Sequence, residues 1–264
     1  MRRAAATVVG TGVFLAACSG PGPAAGNLTR DGSGETRELV VSAAASLTDA
    51  FADLGAAFEA ANPAVTVSFN FGPSDGLATQ IDEGAPVDVF ASASPAWMDA
   101  VQDEGPGVVG RADFARNELA IIVPRDDPAD IASLDDLGDP GVKLVIAAQG
   151  VPAGDYAREV LANAGMADEA LANVVSNAED VRAVVTAVAT GEADAGIVYV
   201  TDVTPDVADR VTLVPIPDDV NVIATYPIAV VMGSDEVGLA RAFVALVLGD
   251  GQEILAGYGF LPAD

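Results

Sequence analysis

Short apolar segments alternate with amphipathic segments along this chain, and no other feature restricts its fold as strongly. The apolar segments consist mostly of Val, Ile, Leu and Phe and end at Gly, Pro or Asp, as buried strands do. The predicted strands are residues 39–41, 65–69, 87–91, 119–123, 144–147 and 196–200. The predicted helices are residues 47–60, 75–83, 95–104, 154–164, 180–190 and 236–248. This alternation predicts an α/β fold with largely parallel sheets flanked by helices.

Three of the predicted strands end on small residues that directly precede a helix. Ser46 lies in the first of these junctions, Ser74 in the second and Ala153 in the third. Ligands of open α/β sheets bind outside the carboxyl ends of the strands. A helix N-terminus attracts anions through its free N–H groups and its dipole. The junctions therefore predict a site for an anion.

The chain is strongly acidic, with 39 Asp and Glu residues against 12 Lys and Arg residues and a formal net charge of −27. Such a charge disfavours binding to nucleic acids and to anionic membrane surfaces. The acidic residues are scattered and form no calcium-type loop, which favours a solvated acidic surface over a metal site. Because the chain has no histidine and Lys143 is its single lysine, a bound anion must be held by hydroxyls, backbone N–H groups and helix dipoles.

One motif is typical of a different class of protein. Residues 72–76 match the G-x-S-x-G pattern of serine hydrolases, in which Ser74 would be the nucleophile. That chemistry needs a base that takes the serine proton, nearly always histidine, and the chain has none. Lys143 lies at the start of a predicted buried strand, and no S-x-x-K motif is present. A hydrolase that uses Ser74 is therefore a distant alternative.

The N-terminal residues predict export. Arg2 and Arg3 precede an apolar segment that is too short to span a bilayer, and residues 15–18 (Leu-Ala-Ala-Cys) match a lipoprotein cleavage site. Residues 1–17 are interpreted as a signal peptide, with the general secretory and twin-Arg routes both open. Residues 18–37 are interpreted as a flexible tether after an acylated Cys18. The chain is thus predicted to be a lipoprotein held on the outer face of a membrane, and its one cysteine excludes an intramolecular disulfide.

A series of short motifs, in order, resembles one known family over residues 38–262. The motifs are AASLT at 44–48, Ser74 followed by LATQI at 77–81, GAPVDVF at 84–90, WMD at 97–99, VPAG at 151–154, AEDVR at 178–182, GIVY at 196–199, YPIAVV at 226–231 and YGF at 258–260. Each motif is weak alone, but the set is specific. It resembles the molybdate-binding proteins of ATP-binding-cassette (ABC) transporters.

The resemblance implies a two-lobed fold of the type II periplasmic-binding-protein kind, with mixed, mostly parallel sheets and a ligand cleft between the lobes. Lobe one would comprise residues 38–118 and 229–264, and lobe two residues 119–228. The protein would be a monomer without a cofactor or catalytic activity. It would capture molybdate or tungstate and deliver the anion to a membrane permease.

The resemblance also implies a set of ligand-binding residues. Ser46 and Ser74 would bind the oxyanion from one lobe through their hydroxyls and their own backbone amides. The backbone amides of Ala153 and Val181 would bind it from the other lobe, together with the hydroxyl of Tyr199. Molybdenum would thus be held as its oxyanion, with no direct bond between protein and metal.

Each of these residues also has an ordinary structural interpretation. The serines could be N-caps, the alanine and valine plain helix residues, and the tyrosine a core residue with a satisfied hydroxyl. Asp75 is predicted to face solvent or to cap its helix, because an inward carboxylate would repel a dianion. A binding protein for another tetrahedral oxyanion, such as sulfate, would share this fold and these donors and stays an alternative.

Overall fold

The computed structural model describes residues 36–263. The strands are β1 Arg37–Ala44, β2 Val65–Gly72, β3 Val89–Ala91, β4 Val108–Pro124, β5 Leu144–Ala147, β6 Val174–Ala178, β7 Ala195–Tyr199, β8 Val211–Pro215, β9 Ile223–Val231 and β10 Leu261–Pro262. The predicted signal peptide, Cys18 and all but the last two residues of the predicted tether lie outside the described residues. The last tether residue, Arg37, already begins β1.

Helices follow most of the strands. The α-helices are α1 Thr48–Ala61, α2 Ser74–Asp82, α3 Pro95–Asp103, α4 Pro152–Asn163, α5 Ala167–Ala172, α6 Val181–Ala189, α7 Val237–Leu248 and α8 Gln252–Gly257. Short 3₁₀ turns cover Ala45–Leu47, Asp135–Gly138 and Val200–Asp202. Over residues 36–263, no helix combines the length and the apolar character that crossing a bilayer requires.

The 17-residue strand β4 joins two sheets. In the first sheet the strand order is β2-β1-β3-β9-β4, and β10 also pairs with β4. In the second the order is β4-β7-β5-β6, and β8 also pairs with β4. Residues 108–118 of β4 pair with β9, whereas residues 119–124 pair with β7 and β8. The chain therefore passes from one sheet to the other within a single strand.

Parallel pairing forms the outer part of each sheet. β1 is parallel to β2 and β3, and β5 is parallel to β6 and β7. All pairs that contain β4 or β9 are antiparallel. The predicted α/β class with mixed sheets is confirmed. Antiparallel pairing is more extensive than the sequence pattern indicated, because β4 and β9 lie side by side and run in opposite directions.

The predicted strands and helices are all present, with ends shifted by a few residues, and the structure adds elements that the pattern did not indicate. β9 contains Pro227, and proline argues against a central strand. The first half of β4 has two register irregularities, between Val109 and Ala112 and between Asp113 and Ala115. Such bulges interrupt the alternation of apolar and polar residues by which a strand is identified.

Aromatic side chains fill the core beside the first sheet. Phe51 of α1 lies with its ring centroid 5.7 Å from that of Phe114 of β4 and 6.0 Å from that of Phe243 of α7. All three rings are buried. Beside the second sheet, a Cβ added to Gly196 of β7 would lie 2.6 Å from a methyl group of Val184 of α6. The lack of a side chain at Gly196 thus lets α6 pack closely on β7. The first residue of α6 lines the cavity described next.

Candidate anion-binding site

One small cavity is lined by residues from both sheets. The lining residues are Ala44, Ala45, Ser46, Gly72, Pro73, Ser74, Ala93, Val151, Pro152, Ala153, Asp180, Val181 and Tyr199. The set includes all five predicted ligand-binding residues. The space open to the centre of a water molecule is about 20 Å³, whereas pockets for drug-sized ligands measure roughly 300–1,000 Å³. Its size suits an ion of a few heavy atoms.

Three α-helices begin at this cavity. The first N–H groups of a helix have no partner within the helix and lie at the positive end of its dipole. Pro73 and Pro152 have no N–H, so Ser74 is the first donor of α2 and Ala153 is the first donor of α4. Val181 is the first residue of α6. Free backbone donors of three helices therefore meet at this cavity, and within residues 36–263 no positively charged side chain lines it.

Two local features fix where α4 and α6 begin. Asp180 is the N-cap of α6, and its carboxylate accepts a hydrogen bond of 2.9 Å from the N–H of Ala183. In the first turn of α4, a Cβ on Gly154 would lie 2.2 Å from the carbonyl oxygen of Ala148 and 2.3 Å from that of Ala147. Only glycine lets α4 approach the end of β5 this closely.

Ser74 is 1 % exposed, and its hydroxyl already has one partner. The Ser74 oxygen accepts a hydrogen bond of 3.1 Å from the N–H of Ala93. Because a hydroxyl has one proton to donate as well as lone pairs, the Ser74 proton stays free for an acceptor in the cavity. The hydrolase interpretation would require a base near this oxygen, and the chain contains no histidine.

Ser46 is oriented by a chain of buried hydrogen bonds. Its hydroxyl lies 3.1 Å from the hydroxyl of Tyr226. The Tyr226 oxygen also accepts a bond of 3.4 Å from the side-chain amide of Asn117, which donates to Thr201 at 2.8 Å as well. Either hydroxyl can donate in the bond between Ser46 and Tyr226. When Tyr226 donates, the Ser46 proton is free to point into the cavity.

Tyr199 supplies a buried hydroxyl without a partner. The side chain is 1 % exposed, and within residues 36–263 its oxygen makes no hydrogen bond. Its ring packs edge-on against Tyr226, with centroids 5.8 Å apart. Burial, and then the neighbouring Tyr226, raise the pKa of Tyr199 well above its usual value, so the phenol is a neutral donor at physiological pH. Buried polar groups are nearly always satisfied, and an unsatisfied donor at a cavity indicates a missing acceptor.

Two contacts join the walls of the cavity across the gap between the sheets. Arg182 of α6 forms an ion pair with Asp49 of α1, and its Nε donates to the carbonyl of Ala45 at 3.4 Å. On another side, the indole N–H of Trp97 donates to the carbonyl of Gly150 at 2.8 Å. Arg182 and Trp97 belong to motifs of the sequence, but their partners lie 53 to 137 residues away along the chain. No local pattern could therefore have assigned them a role.

Asp75 departs from its prediction. The residue is half-buried, and its Oδ1 is inaccessible to solvent and makes no hydrogen bond within the described residues. The expectation that this carboxylate faces solvent or caps its helix is therefore wrong for Oδ1, and α2 has no side-chain cap hydrogen bond within the described residues. The N-terminus of α2 lies against the opposite wall, where a Cβ on Gly150 would be 3.8 Å from Asp75 Oδ2. Asp75 is not part of the cavity lining.

Among the described residues, the cavity lining contains one carboxylate, that of Asp180, whereas another surface depression contains four. This larger depression, with about 400 Å³ open to the centre of a water molecule, is lined in part by Glu38, Asp88, Asp235 and Glu236, and these carboxylates disfavour an anion. Over residues 36–263, no group of three or more His, Cys, Asp or Glu side chains is placed to hold a metal ion.

Comparison with known proteins gives the family. A model of the bacterial extracellular solute-binding proteins matches residues 39–261. The molybdate-binding protein ModA of Mycobacterium tuberculosis is 41 % identical over 225 residues, which are 85 % of this chain and 84 % of that protein.

Solved structures share the fold at lower identity. The periplasmic molybdate-binding protein of Azotobacter vinelandii is 20 % identical, with a TM-score of 0.76 over 86 % of this chain and 100 % of that one. The sulfate-binding protein SubI of Mycobacterium tuberculosis is 19 % identical, with a TM-score of 0.75 over 86 % of this chain and 88 % of that one. These two structures establish the periplasmic-binding-protein fold. Together with the sequence comparisons, they show that the chain belongs to the bacterial extracellular solute-binding proteins and, within them, to the family of the molybdate-binding protein ModA.

Proposed function

We propose that this protein captures molybdate in the cavity between its two sheets and delivers it to the permease of an ABC importer. The observation that carries the proposal is the unpartnered hydroxyl of Tyr199, buried at a cavity that it shares with Ser46, Ser74 and the first residues of α4 and α6. Membership of the ModA family supports the choice of molybdate.

The chemistry of the lining matches a fully ionised oxyanion. The proposed donors are the hydroxyls and amides of Ser46 and Ser74, the amides of Ala153 and Val181, and the hydroxyl of Tyr199. A molybdate dianion offers only acceptors, which match these donors. Hydrogen bonds to a charged group contribute about 1.5–3 kcal/mol each. Seven such bonds support a Kd in the micromolar to nanomolar range after the costs of association.

Other tetrahedral anions differ in size or in protonation. Tungstate has the same charge as molybdate and nearly the same size, so we propose that it binds equally well. Sulfate is smaller and would leave some donors beyond hydrogen-bond distance. Phosphate carries a proton near neutral pH, and that proton would meet donors only.

We propose that the two sheets are the cores of two lobes that close around the anion. Lobe one comprises residues 38–118 and 229–264, and lobe two residues 119–228, as the sequence resemblance implies. The pairing of β9 with the first sheet from Ile223 onward supports a second crossing slightly earlier, within residues 216–222. A ligand that contacts both lobes stabilises the closed form by its differential affinity for that form.

The family and the N-terminal motif also support a proposal about where the protein acts. We propose that the chain acts outside the cytoplasm as a monomer, anchored by a lipid on Cys18, and that it binds no nucleic acid. We also propose that it catalyses no reaction and needs no cofactor. Without a histidine, Ser74 is a binding residue rather than a nucleophile.

Calorimetric titration with molybdate, tungstate, sulfate and phosphate tests this function. We expect one site per chain for molybdate and tungstate, and at least 100-fold weaker binding of sulfate and phosphate, a difference of about 2.7 kcal/mol. Tight binding of sulfate alone would agree with the fold but would identify sulfate, and not molybdate, as the ligand. Turnover of a p-nitrophenyl ester that is abolished by Ser74→Ala would instead support the hydrolase.

A further inference from the structure

A buried carboxyl group, that of Asp202, is hydrogen-bonded to the backbone of Tyr199, a residue of the cavity lining. Asp202 ends the 3₁₀ turn that follows β7 and is 2 % exposed. Its Oδ2 accepts a hydrogen bond of 3.0 Å from the backbone N–H of Tyr199. Its Oδ1 is buried and makes no hydrogen bond within the part of the chain that the structure describes. A carboxyl with only one of its oxygens satisfied is poorly suited to carry a buried charge.

None of the groups that face Asp202 is a cation that pairs with Asp202 alone. Arg182 and Asp180 face it from α6 and its N-cap, and Asp49 faces it from α1. Arg182 is already paired with Asp49. Tyr199 of β7 and Tyr226 of β9 are neutral because the pKa of each is raised by burial. Asp202 therefore has two acidic neighbours and one cation that is shared.

We propose that Asp202 is a positioning residue for Tyr199 that becomes protonated when the cavity captures a divalent oxyanion. The inference rests on the proposed function, because it requires a dianion beside Tyr199. One oxygen of Asp202 holds the backbone of Tyr199 at the end of β7, in either protonation state. The other oxygen, which has no partner, is the place for the proton.

The consequence is an affinity that depends on pH. Burial raises the pKa of Asp202 to about 7, opposed in part by the Tyr199 N–H and by Arg182. A dianion in the cavity disfavours the ionised carboxylate and so raises this pKa further. Below the pKa of the free protein the carboxyl is already neutral, and affinity is highest. Above it, each binding event takes up a proton, and affinity falls up to about tenfold per pH unit.

Titration calorimetry of the full chain with molybdate, at several values from about pH 6 to about pH 9 in two buffers of different ionisation enthalpy, tests this inference. We expect the wild-type protein to take up close to one proton above about pH 7. In Asp202→Asn, which keeps an acceptor for the Tyr199 N–H, we expect no proton uptake and a flat pH profile. Asp206→Asn is the matched control, since it removes an exposed carboxylate four residues away. This control should behave as the wild type does.

The outcomes separate the inference from the proposed function. Failure of the wild type to bind molybdate at any pH would contradict the proposed function. Binding without proton uptake, or with uptake that persists in Asp202→Asn, would overturn the role of Asp202 and leave the function intact. Tyr199→Phe adds a test that needs no change at Asp202. It should weaken binding at every pH while proton uptake continues, whereas loss of uptake would contradict the inference.

Discussion

The hydroxyl oxygen of Tyr199 is a buried polar atom, and its burial costs free energy. The phenol is almost completely enclosed, and its oxygen makes no hydrogen bond within residues 36–263. Leaving a buried donor unsatisfied costs about 1–3 kcal/mol. A bound oxyanion would remove this cost and add a charge-assisted hydrogen bond. In the proposed site, Tyr199 would thus lower the stability of the free protein and raise the affinity for the anion.

Replacing this hydroxyl gives the first prediction. Tyr199→Phe should weaken molybdate binding by about 10- to 150-fold, which corresponds to one hydrogen bond to a charged group. The free protein should keep its melting temperature or gain slightly, because the substitution removes an unsatisfied group. Titration calorimetry and thermal unfolding of the same sample measure both effects.

Tyr258→Phe is the matched control. Its hydroxyl donates to Asp53 at 2.7 Å, an interaction that raises the pKa of Tyr258 to about 12, and the residue is not part of the cavity lining. We expect its affinity for molybdate to equal that of the wild type. Equal affinities of Tyr199→Phe and Tyr258→Phe would show that Tyr199 does not contact the ligand.

At the scale of elements, the end of β5 and the start of α4 form the most tightly constrained part of the site. A Cβ on Gly154 would overlap two backbone carbonyl oxygens, at 2.2 and 2.3 Å. Backbone atoms cannot move aside as a side chain can. Gly154→Ala should therefore displace the start of α4 and with it Ala153. We expect a loss of about 1–3 kcal/mol of stability, as for other overpacked sites, together with weaker molybdate binding.

Gly238→Ala provides the comparison for this substitution. Gly238 lies in α7, and a Cβ there would meet no atom within 4 Å. Alanine is the better helix former by about 0.5–1 kcal/mol, so this variant should be as stable as the wild type or more so. Chemical denaturation measures both variants. A Gly154→Ala protein with the wild-type midpoint and affinity would contradict the assigned geometry.

The sequence predicted elements best where the residue pattern and the burial agree. β5 was predicted with its observed ends, because its four residues are apolar and all are buried. β6 was missed because its residues are largely exposed, which leaves no apolar period. β9 was missed because Pro227 lies within it. Pairing with β3 and β4 nevertheless makes a strand of it, since tertiary contacts override local preference.

The residues of the candidate site also fall into those that the local sequence pattern indicated and those that it did not. Small residues at strand–helix junctions indicated Ser46, Ser74 and Ala153 from local pattern alone. Val181 and Tyr199 were reached only through the family resemblance, because a first helical residue and a strand-ending tyrosine are ordinary features. Asp202 could not be foreseen, since its role depends on burial, which the sequence does not display.

At the scale of the whole molecule, the net charge of −27 opposes the capture of any anion. Solvent ions screen exposed charges beyond about 10 Å, so the local donors of the cavity decide the binding. In the proposed two-lobe closure, the two contacts that join the cavity walls would favour the closed form. Of these, the pair of Asp49 and Arg182 is partly exposed, with side chains 40 % and 32 % accessible. Such pairs contribute about 0.2–1 kcal/mol.

A double-mutant cycle measures that contribution. Asp49→Asn and Arg182→Gln should each weaken molybdate binding by about two- to fivefold, and the double variant little more than either one. Asp99→Asn is the control. It breaks the ion pair with Arg111, which joins α3 to β4 away from the cavity lining, and should leave affinity unchanged. Equal effects of Asp49→Asn and Asp99→Asn would mean that the pair across the cavity does not favour closure.

The central claim, capture of molybdate between two lobes, is tested most directly by thermal unfolding of the purified protein with molybdate, tungstate, sulfate or phosphate. A ligand at about 1,000 times its Kd stabilises the native state by about 4 kcal/mol. At about 2–4 °C per kcal/mol for a chain of this size, the melting temperature should rise by roughly 8–16 °C. We expect this rise with molybdate and tungstate only, and a much smaller rise in Tyr199→Phe. An unchanged melting temperature with all four anions would contradict the claim.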